Sequence, residues 1–347
     1  MPQYNLALLG FGNVGQAFAQ LLLRKRTELK DRYDLTFAVT GIATGSHGMA
    51  LNTGGLDLEQ ALKLVEYGSS FDTISTQGKV SDSFDFIRRC GAEVLFETTP
   101  VNYQTGQPAI DHLRAALELG MHAITANKGP VVHAHQQLTN LAASRGRAFY
   151  FESTVMDGAP IFSLFRYTLP GAQLRAFRGI LNSTTNLILT RLEAGESFAD
   201  AVAYAQSIGI AETDPSGDVD GWDAAVKVAE LVTVLMGVPL KPDQIERQGI
   251  REITPEEIER ARQEGKRWKL VCSAHKENER VQARVAPEMV GPDSPLYNVV
   301  GTTSIVEFET DVLGQLSVIE TDPGPRTTAY GLLADFLNAV KAGTSIP

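Results

Sequence analysis

Leu6-Ala7-Leu8-Leu9-Gly10-Phe11-Gly12-Asn13-Val14-Gly15 decides the fold. The apolar run Asn5-Leu9 reads as a buried strand, and Asn13-Lys30 reads as a helix with one apolar face. A G-x-G-x-x-G string therefore sits directly between a strand and a helix, and that context says more than the string alone. Gly10 permits the tight turn. Gly12 leaves the backbone open to a close-lying pyrophosphate, and Gly15 lets the helix pack near the strand. The helix N-terminus adds unpaired N–H groups and partial positive charge, which suit phosphates. The turn Gly10, Phe11, Gly12, Asn13, Val14 and Gly15 is thus a candidate dinucleotide site.

Outward from this turn, strand-like and helix-like segments alternate. Leu35-Ile42, Glu93-Phe96 and His122-Thr125 read as strands, and Gln107-Leu119 as a helix ended by Gly120. Such alternation predicts an α/β domain of the Rossmann type, a doubly wound parallel sheet with helices on both faces. NAD-preferring versions of the fold carry an acid at the end of the second strand. Here that region reads Gly41-Ile42-Ala43-Thr44-Gly45-Ser46-His47, with no acid, which favours NADP and leaves NAD as the alternative. His47 reads as a loop residue.

After Tyr150 the pattern changes. Phe177-Leu181 and Ser304-Glu309 read as strands, Asp218-Met236 as a long helix, and Glu252-Gln263 as a charged helix or loop. A Pro/Gly break at Thr321-Arg326 precedes a last helix, Thr328-Ala342. The expected division is 1–149 for the nucleotide-binding domain and 150–319 for a second domain of the α+β class. Residues 320–347 are expected to return a helix to the first domain.

The 347 residues suit two domains, and the net charge of −10 disfavours nucleic acid and anionic membranes as partners. The N-terminus lacks the pattern of a signal peptide, and no run of 18 apolar residues occurs, so a cytoplasmic protein is expected. Cys90 and Cys272 lack metal-ligand spacing and read as two reduced thiols.

Four segments are dense in small and polar residues. Thr125-Ala126-Asn127-Lys128-Gly129-Pro130 follows a strand, where side chains border the ligand crevice of a parallel sheet. Glu152-Ser153-Thr154-Val155-Met156-Asp157-Gly158-Ala159-Pro160 places a carboxylate beside a tight turn, an arrangement that either is structural or presents oxygens to a hard cation. Asn182-Ser183-Thr184-Thr185-Asn186 lies between a strand and a helix, where hydroxyls cap the helix or meet a substrate carboxylate. The richest runs from Gly209 through Glu212 to Lys227. Asp218 reads as an N-cap, and Asp220, Asp223 and Lys227 fall on one side of the helix that follows. The apolar remainder of that helix predicts that the charged stripe faces a cleft. A partly desolvated lysine there suits acid/base chemistry, although an exposed Asp-Lys pair gives the same spacing.

At these residues the chain resembles the homoserine dehydrogenase family, in its short form without a regulatory domain. The likeness runs from the glycine turn through Thr125-Pro130, the Glu152 turn, Asn182-Asn186 and Glu212-Lys227 to Gly324 and the last helix. The resemblance implies NAD(P)-dependent interconversion of L-homoserine and L-aspartate 4-semialdehyde, on the route to threonine and methionine, by a homodimer in which 150–319 is the catalytic and dimerisation domain. It implies that Glu212 meets the substrate ammonium and Asp223 the reacting hydroxyl, with Ser183 and Thr184 nearby. Lys227 would be the proton donor and Lys128 a second catalytic candidate. Gly10 to Val14, Thr99, Lys128 and Gly324 would line the cofactor. Glu152 and the main-chain oxygens of Val155, Asp157 and Ala159 would hold a monovalent cation, usually sodium. The sequence departs from the family pattern at Ser183, Ile210 and Met156-Asp157, and in the shortened lead Asp322-Pro323-Gly324-Pro325. Two other readings therefore stand beside the first: a paralogue acting on another small hydroxy acid or aldehyde, and a non-catalytic NAD(P)-binding redox sensor.

Overall fold

The computed structural model describes residues 1–278 and 280–341. They form two compact units: Met1–Pro160 together with Gly324 onward, and Ile161–Pro323. Ala342 and the rest of the expected C-terminal segment to 347 lie outside the described residues.

In the first unit the strands are β1 (Gln3–Leu9), β2 (Thr36–Thr44), β3 (Gly48–Leu51), β4 (Val94–Glu97), β5 (His122–Thr125) and β6 (Phe149–Tyr150), in the sheet order β3-β2-β1-β4-β5-β6. All pairings are parallel except β2–β3. The short Gly45-Ser46-His47 link can only fold back on itself, so the parallel sheet acquires an antiparallel edge. Alternation along β1 explains the two covered faces. Leu6 and Leu8 join one core with Phe18 and Leu22 of helix Asn13–Tyr33 and Leu332 and Phe336 of helix Pro325–Lys341. Ala7 and Leu9 point the other way, into a core with Phe86 and Ile87 of helix Ser83–Arg89 and Ala116 of helix Ala109–Glu118.

The chain from Phe151 to Pro160 belongs to this first unit, whereas a boundary after residue 149 would assign it to the second. The cause is hydrogen bonding to the last helix. Glu152 N donates to Asp335 Oδ2 at 2.7 Å, and Ser153 Oγ donates to the Thr328 carbonyl at 2.7 Å.

The second unit is α+β. Its strands are β7 (Leu174–Ile180), β8 (Glu246–Arg247), β9 (Arg267–Glu277), β10 (Arg280–Val290), β11 (Ser304–Thr310) and β12 (Gly314–Glu320), in the order β12-β11-β7-β9-β10-β8. Neighbours are antiparallel except β8 with β10. Ile180, Val271, Val290 and Ile305 pack together as one of its cores. The charged segment expected over 252–263 is helix Pro255–Gln263. Thr254 accepts from Glu257 N, and Glu257 returns the favour to Thr254 N.

The helix expected over Asp218–Met236 is two helices, Ser216–Val219 and Trp222–Leu235. Gly221 separates them with φ of 79°, a left-handed conformation that ends the first and starts the second. Asp218 is therefore inside a short helix and not an N-cap. Trp222 is exposed, with the Arg247 guanidinium 3.8 Å from its ring centre. On the same helix Ala225, Val226, Ala229 and Val232 are buried.

Candidate active site

The glycine turn sits at the C-terminal end of β1. Gly10 has φ of 108°, and a Cβ there would lie 2.5 Å from the Thr98 carbonyl. A Cβ on Gly15 would lie 2.4 Å from Gly10 O. Both positions exclude any other residue. Gly12 differs: a Cβ there would meet nothing within 4 Å, so the space before it is open. Gly12 is also the N-cap of helix Asn13–Tyr33, and no side chain caps that terminus. Open space plus uncapped N–H groups fit the pyrophosphate of a dinucleotide. Phe11 contributes backbone only; its ring is buried against Phe71, centroids 5.7 Å apart.

The ends of β4 and β5 are tied together by a residue that the sequence reading passed over. Glu97 is fully buried, and its carboxylate accepts from Thr99 N at 3.0 Å, from the Thr99 hydroxyl, and from Thr125 Oγ1 at 2.8 Å. Burial pushes its carboxyl above the ordinary glutamate range, against the lowering effect of these donors. Asn127 extends the network, donating to Thr99 O at 3.2 Å and capping helix Lys128–Ser144 by accepting from Gly129 N at 3.0 Å. Thr99 and the half-buried Lys128 are thus held on adjoining strand ends. His47 is a loop residue, its Nδ1 3.0 Å from Ser69 O.

In the turn after β6, Glu152 and Val155 are buried, at 2% and 1% exposure. Asp157 adopts φ of 40°, and its carboxylate accepts from Gly324 N and from Thr327 Oγ1, the latter at 3.0 Å. That carboxylate braces the start of the last helix, so Asp157 has its main-chain oxygen to offer a cation. A buried carboxylate with main-chain oxygens is a donor set suited to a hard cation.

In the second unit, Lys227 and Asp223 lie one turn apart on helix Trp222–Leu235, with side chains 15% and 11% exposed. Lys227 Nζ is 3.3 Å from Asp223 Oδ2 and donates to the Leu181 carbonyl at 2.6 Å. Asn182, the N-cap of helix Ser183–Glu193, donates from Nδ2 to Asp218 Oδ1 at 2.7 Å and to Asp223 Oδ2 at 3.0 Å. Burial, then repulsion from Asp223, holds the Asp218 carboxyl above the usual aspartate range. Two carboxylates, an ammonium and an amide therefore converge. Such a group can bind a polar substrate and pass a proton to or from it.

A family model described as homoserine dehydrogenase matches residues 160–337. The NAD(+)-dependent homoserine dehydrogenase of Pseudomonas canavaninivorans is 35% identical, over 99% of this chain and 98% of that protein. This chain belongs to the homoserine dehydrogenase family. The homoserine dehydrogenase of Methanocaldococcus jannaschii is 36% identical, over 96% of this chain and 98% of its own. Among solved structures, a hyperthermophilic archaeal homoserine dehydrogenase mutant in complex with NADPH aligns with a TM-score of 0.84, 27% identity and all of both chains. The homoserine dehydrogenase of Thermoplasma acidophilum aligns with a TM-score of 0.82 and 26% identity, over 98% of this chain and 100% of that one. Homoserine dehydrogenases are NAD(P)-dependent oxidoreductases acting on a CH–OH group, and this chain is one of them by descent.

Within this homoserine dehydrogenase, the residues named from sequence are only partly gathered. Asp223 and Lys227 meet, and Thr184 adjoins them, its hydroxyl donating to Ile210 O at 3.2 Å. Ser183 is half-buried on the first turn beside its capping neighbour Asn182. Asp220 leaves the expected stripe: the break at Gly221 turns it toward Arg251, with which it pairs. Asp218 takes its place in the cluster. Glu212 lies exposed in a loop that is held through its main chain, Gln206 Nε2 donating to Glu212 O and Thr213 O at 3.1 Å each. Gly324 lies with the Asp157 turn in the first unit. Asn182 carried a signal that was available, a cap-type residue directly after a strand, but hydroxyls were expected to do the capping.

Proposed function

We propose that this chain interconverts L-homoserine and L-aspartate 4-semialdehyde with a nicotinamide cofactor at the glycine turn, NADP in preference to NAD. The observation that supports it most is Lys227, a sequestered ammonium anchored to Asp223 at 3.3 Å and to Leu181 O at 2.6 Å. The bound cofactor supplies or accepts the hydride. Lys227 gives the proton to the carbonyl oxygen during reduction, and its charge stabilises the negative charge developing there. Asp223 orients Lys227 and meets the reacting hydroxyl. Ser183 and Thr184 flank the substrate, and Glu212 takes its ammonium group from the neighbouring loop. In the first unit, Gly10 to Gly15, Thr99, Lys128 and Gly324 hold the cofactor, with Lys128 a second catalytic group. Glu152 and the main-chain oxygens of Val155, Asp157 and Ala159 hold a monovalent cation, sodium being the natural occupant. The enzyme serves threonine and methionine biosynthesis in the cytoplasm, as a homodimer.

NADPH oxidation driven by aspartate semialdehyde tests this. Lys227→Ala is expected to lose at least about 100-fold in kcat, the scale of general acid catalysis, with NADPH binding retained. Wild-type turnover in that variant would remove Lys227 from its role. A panel of small hydroxy acids with both cofactors separates homoserine from a related substrate, the alternative that Ser183 and Ile210 support. If another substrate gives the higher kcat/KM, the homoserine assignment fails.

A further inference from the structure

Asn182 makes more bonds than a helix cap requires. Its Oδ1 accepts from Thr185 N at 2.8 Å and from Thr185 Oγ1 at 2.9 Å. A main-chain N–H can only donate, so this end of the amide must be the oxygen. The NH2 group is thereby forced the other way, and its two hydrogens reach Asp218 Oδ1 at 2.7 Å and Asp223 Oδ2 at 3.0 Å. Asn182 is only 4% exposed and Asp223 8%, so water is a poor substitute for the amide at Asp223. We infer that Asn182 is a positioning residue for the reaction: one locked amide holds the Asp218 and Asp223 carboxylates side by side and keeps both available as anions. The inference rests on the proposal that this cluster handles the substrate.

Lys227 faces Asp223 from the same helix. Thr184, on the helix that Asn182 caps, brings its hydroxyl beside Asp218. From β9, Cys272 faces Asp223 and Lys227, and burial pushes its thiol up to about 12, so it adds no charge. Arg251 is paired with Asp220. Two like charges this close repel, and Lys227 and the two Asn182 N–H groups offset that repulsion. Losing the amide hydrogens raises the carboxyl pKa values, and substrate-competent anions are then lost at a higher pH.

Asn182→Ser and Asn182→Asp test this, because Ser and Asp both cap helices as Asn does. Neither supplies the two N–H groups, and Asp adds a third negative charge. Both variants are expected to fold, with a cooperative thermal transition above the assay temperature and Asn182→Asp the less stable of the two, and to bind NADPH normally. At neutral pH their kcat/KM for aspartate semialdehyde should fall about tenfold or more, the scale of a lost hydrogen bond to a charged group. The acid limb of kcat/KM against pH should move up by about one unit in Asn182→Ser and further in Asn182→Asp. A ¹³C-carboxyl titration of Asp218 and Asp223 should show the same upward movement without relying on turnover. A residue that only caps the helix would leave both the limb and the titration unmoved, and that result overturns the inference. Wild-type protein that turns over neither homoserine nor the semialdehyde would defeat the functional reading instead, while the carboxyl titration would still judge the clamp.

Discussion

His122 begins β5, and its ring Nδ1 accepts a hydrogen bond from Ala148 N at 3.1 Å. Only the neutral ring has that lone pair. Burial, reinforced by the Arg147 charge, lowers its pKa to about 4, against about 6.5 in an unfolded chain. The unfolded state therefore takes up a proton first as pH falls. The stability that His122 contributes is complete above pH 6.5 and drains away as pH drops toward about 4. His122→Gln removes this titration. Thermal midpoints measured at pH 7.5 and pH 5 should fall further in the wild type than in the variant; equal falls would mean that the ring is not held neutral. Glu97 is the opposite case on the neighbouring strand, an acid whose carboxyl is raised by burial, and neither residue could be recognised in the sequence. A Glu or His at a strand end is usually solvated. Only the parallel pairing of β4 with β5 and of β5 with β6 encloses them.

At the scale of elements, Gly221 decides where the helix bearing Asp223 and Lys227 starts. Its φ of 79° lies where a Cβ clashes with its own backbone, although the nearest outside atom would be a tolerable 3.4 Å away, on the Arg247 side chain. Gly221→Ala is expected to cost about 1–2 kcal/mol of stability for that reason alone. It should also lower kcat/KM, since straightening the break shifts Asp218 relative to Asp223. Chemical denaturation and steady-state kinetics read the two effects, and a variant that is unchanged in both would show the break to be incidental. The same glycine explains why the sequence misled. Asp218 ahead of an apolar-periodic run has every local attribute of an N-cap, and one glycine in such a run is normally tolerated. Its left-handed conformation becomes visible only in the folded chain. Where the signal was local and steric, the sequence sufficed. The helix start at Asn13 and the strand His122–Thr125 were read at the right residues, because a glycine turn and Gly120 mark them. The β9–β10 hairpin escaped notice because its strands mix Arg, Lys and Glu with apolar residues and show no clean alternation.

Across the whole molecule, the likeness to homoserine dehydrogenases was readable from the glycine turn and the polar segments that follow one another along the chain. What spacing could not supply was which of them touch: Asp220 in place of Asp218, and hydroxyls in place of the Asn182 amide. The first unit adds a further long-range dependence, since its core is completed by residues more than 300 positions from its first strand. Phe336, fully buried, stacks edge-on to Tyr4 of β1 at 5.9 Å and to Phe96 of β4 at 6.0 Å. Phe336→Ala leaves a cavity at the point where helix Pro325–Lys341 meets the sheet. The expected cost is about 3–5 kcal/mol, a large share of the roughly 5–15 kcal/mol that holds a domain folded. Hydrogen exchange should then show lost protection in Gln3–Leu9, Asn13–Tyr33 and Val94–Glu97, the segments whose side chains share that core. NADPH should recover part of the loss by binding only the folded unit. Unchanged protection in β1 and β4 would mean that the last helix merely covers the first unit and does not complete its core.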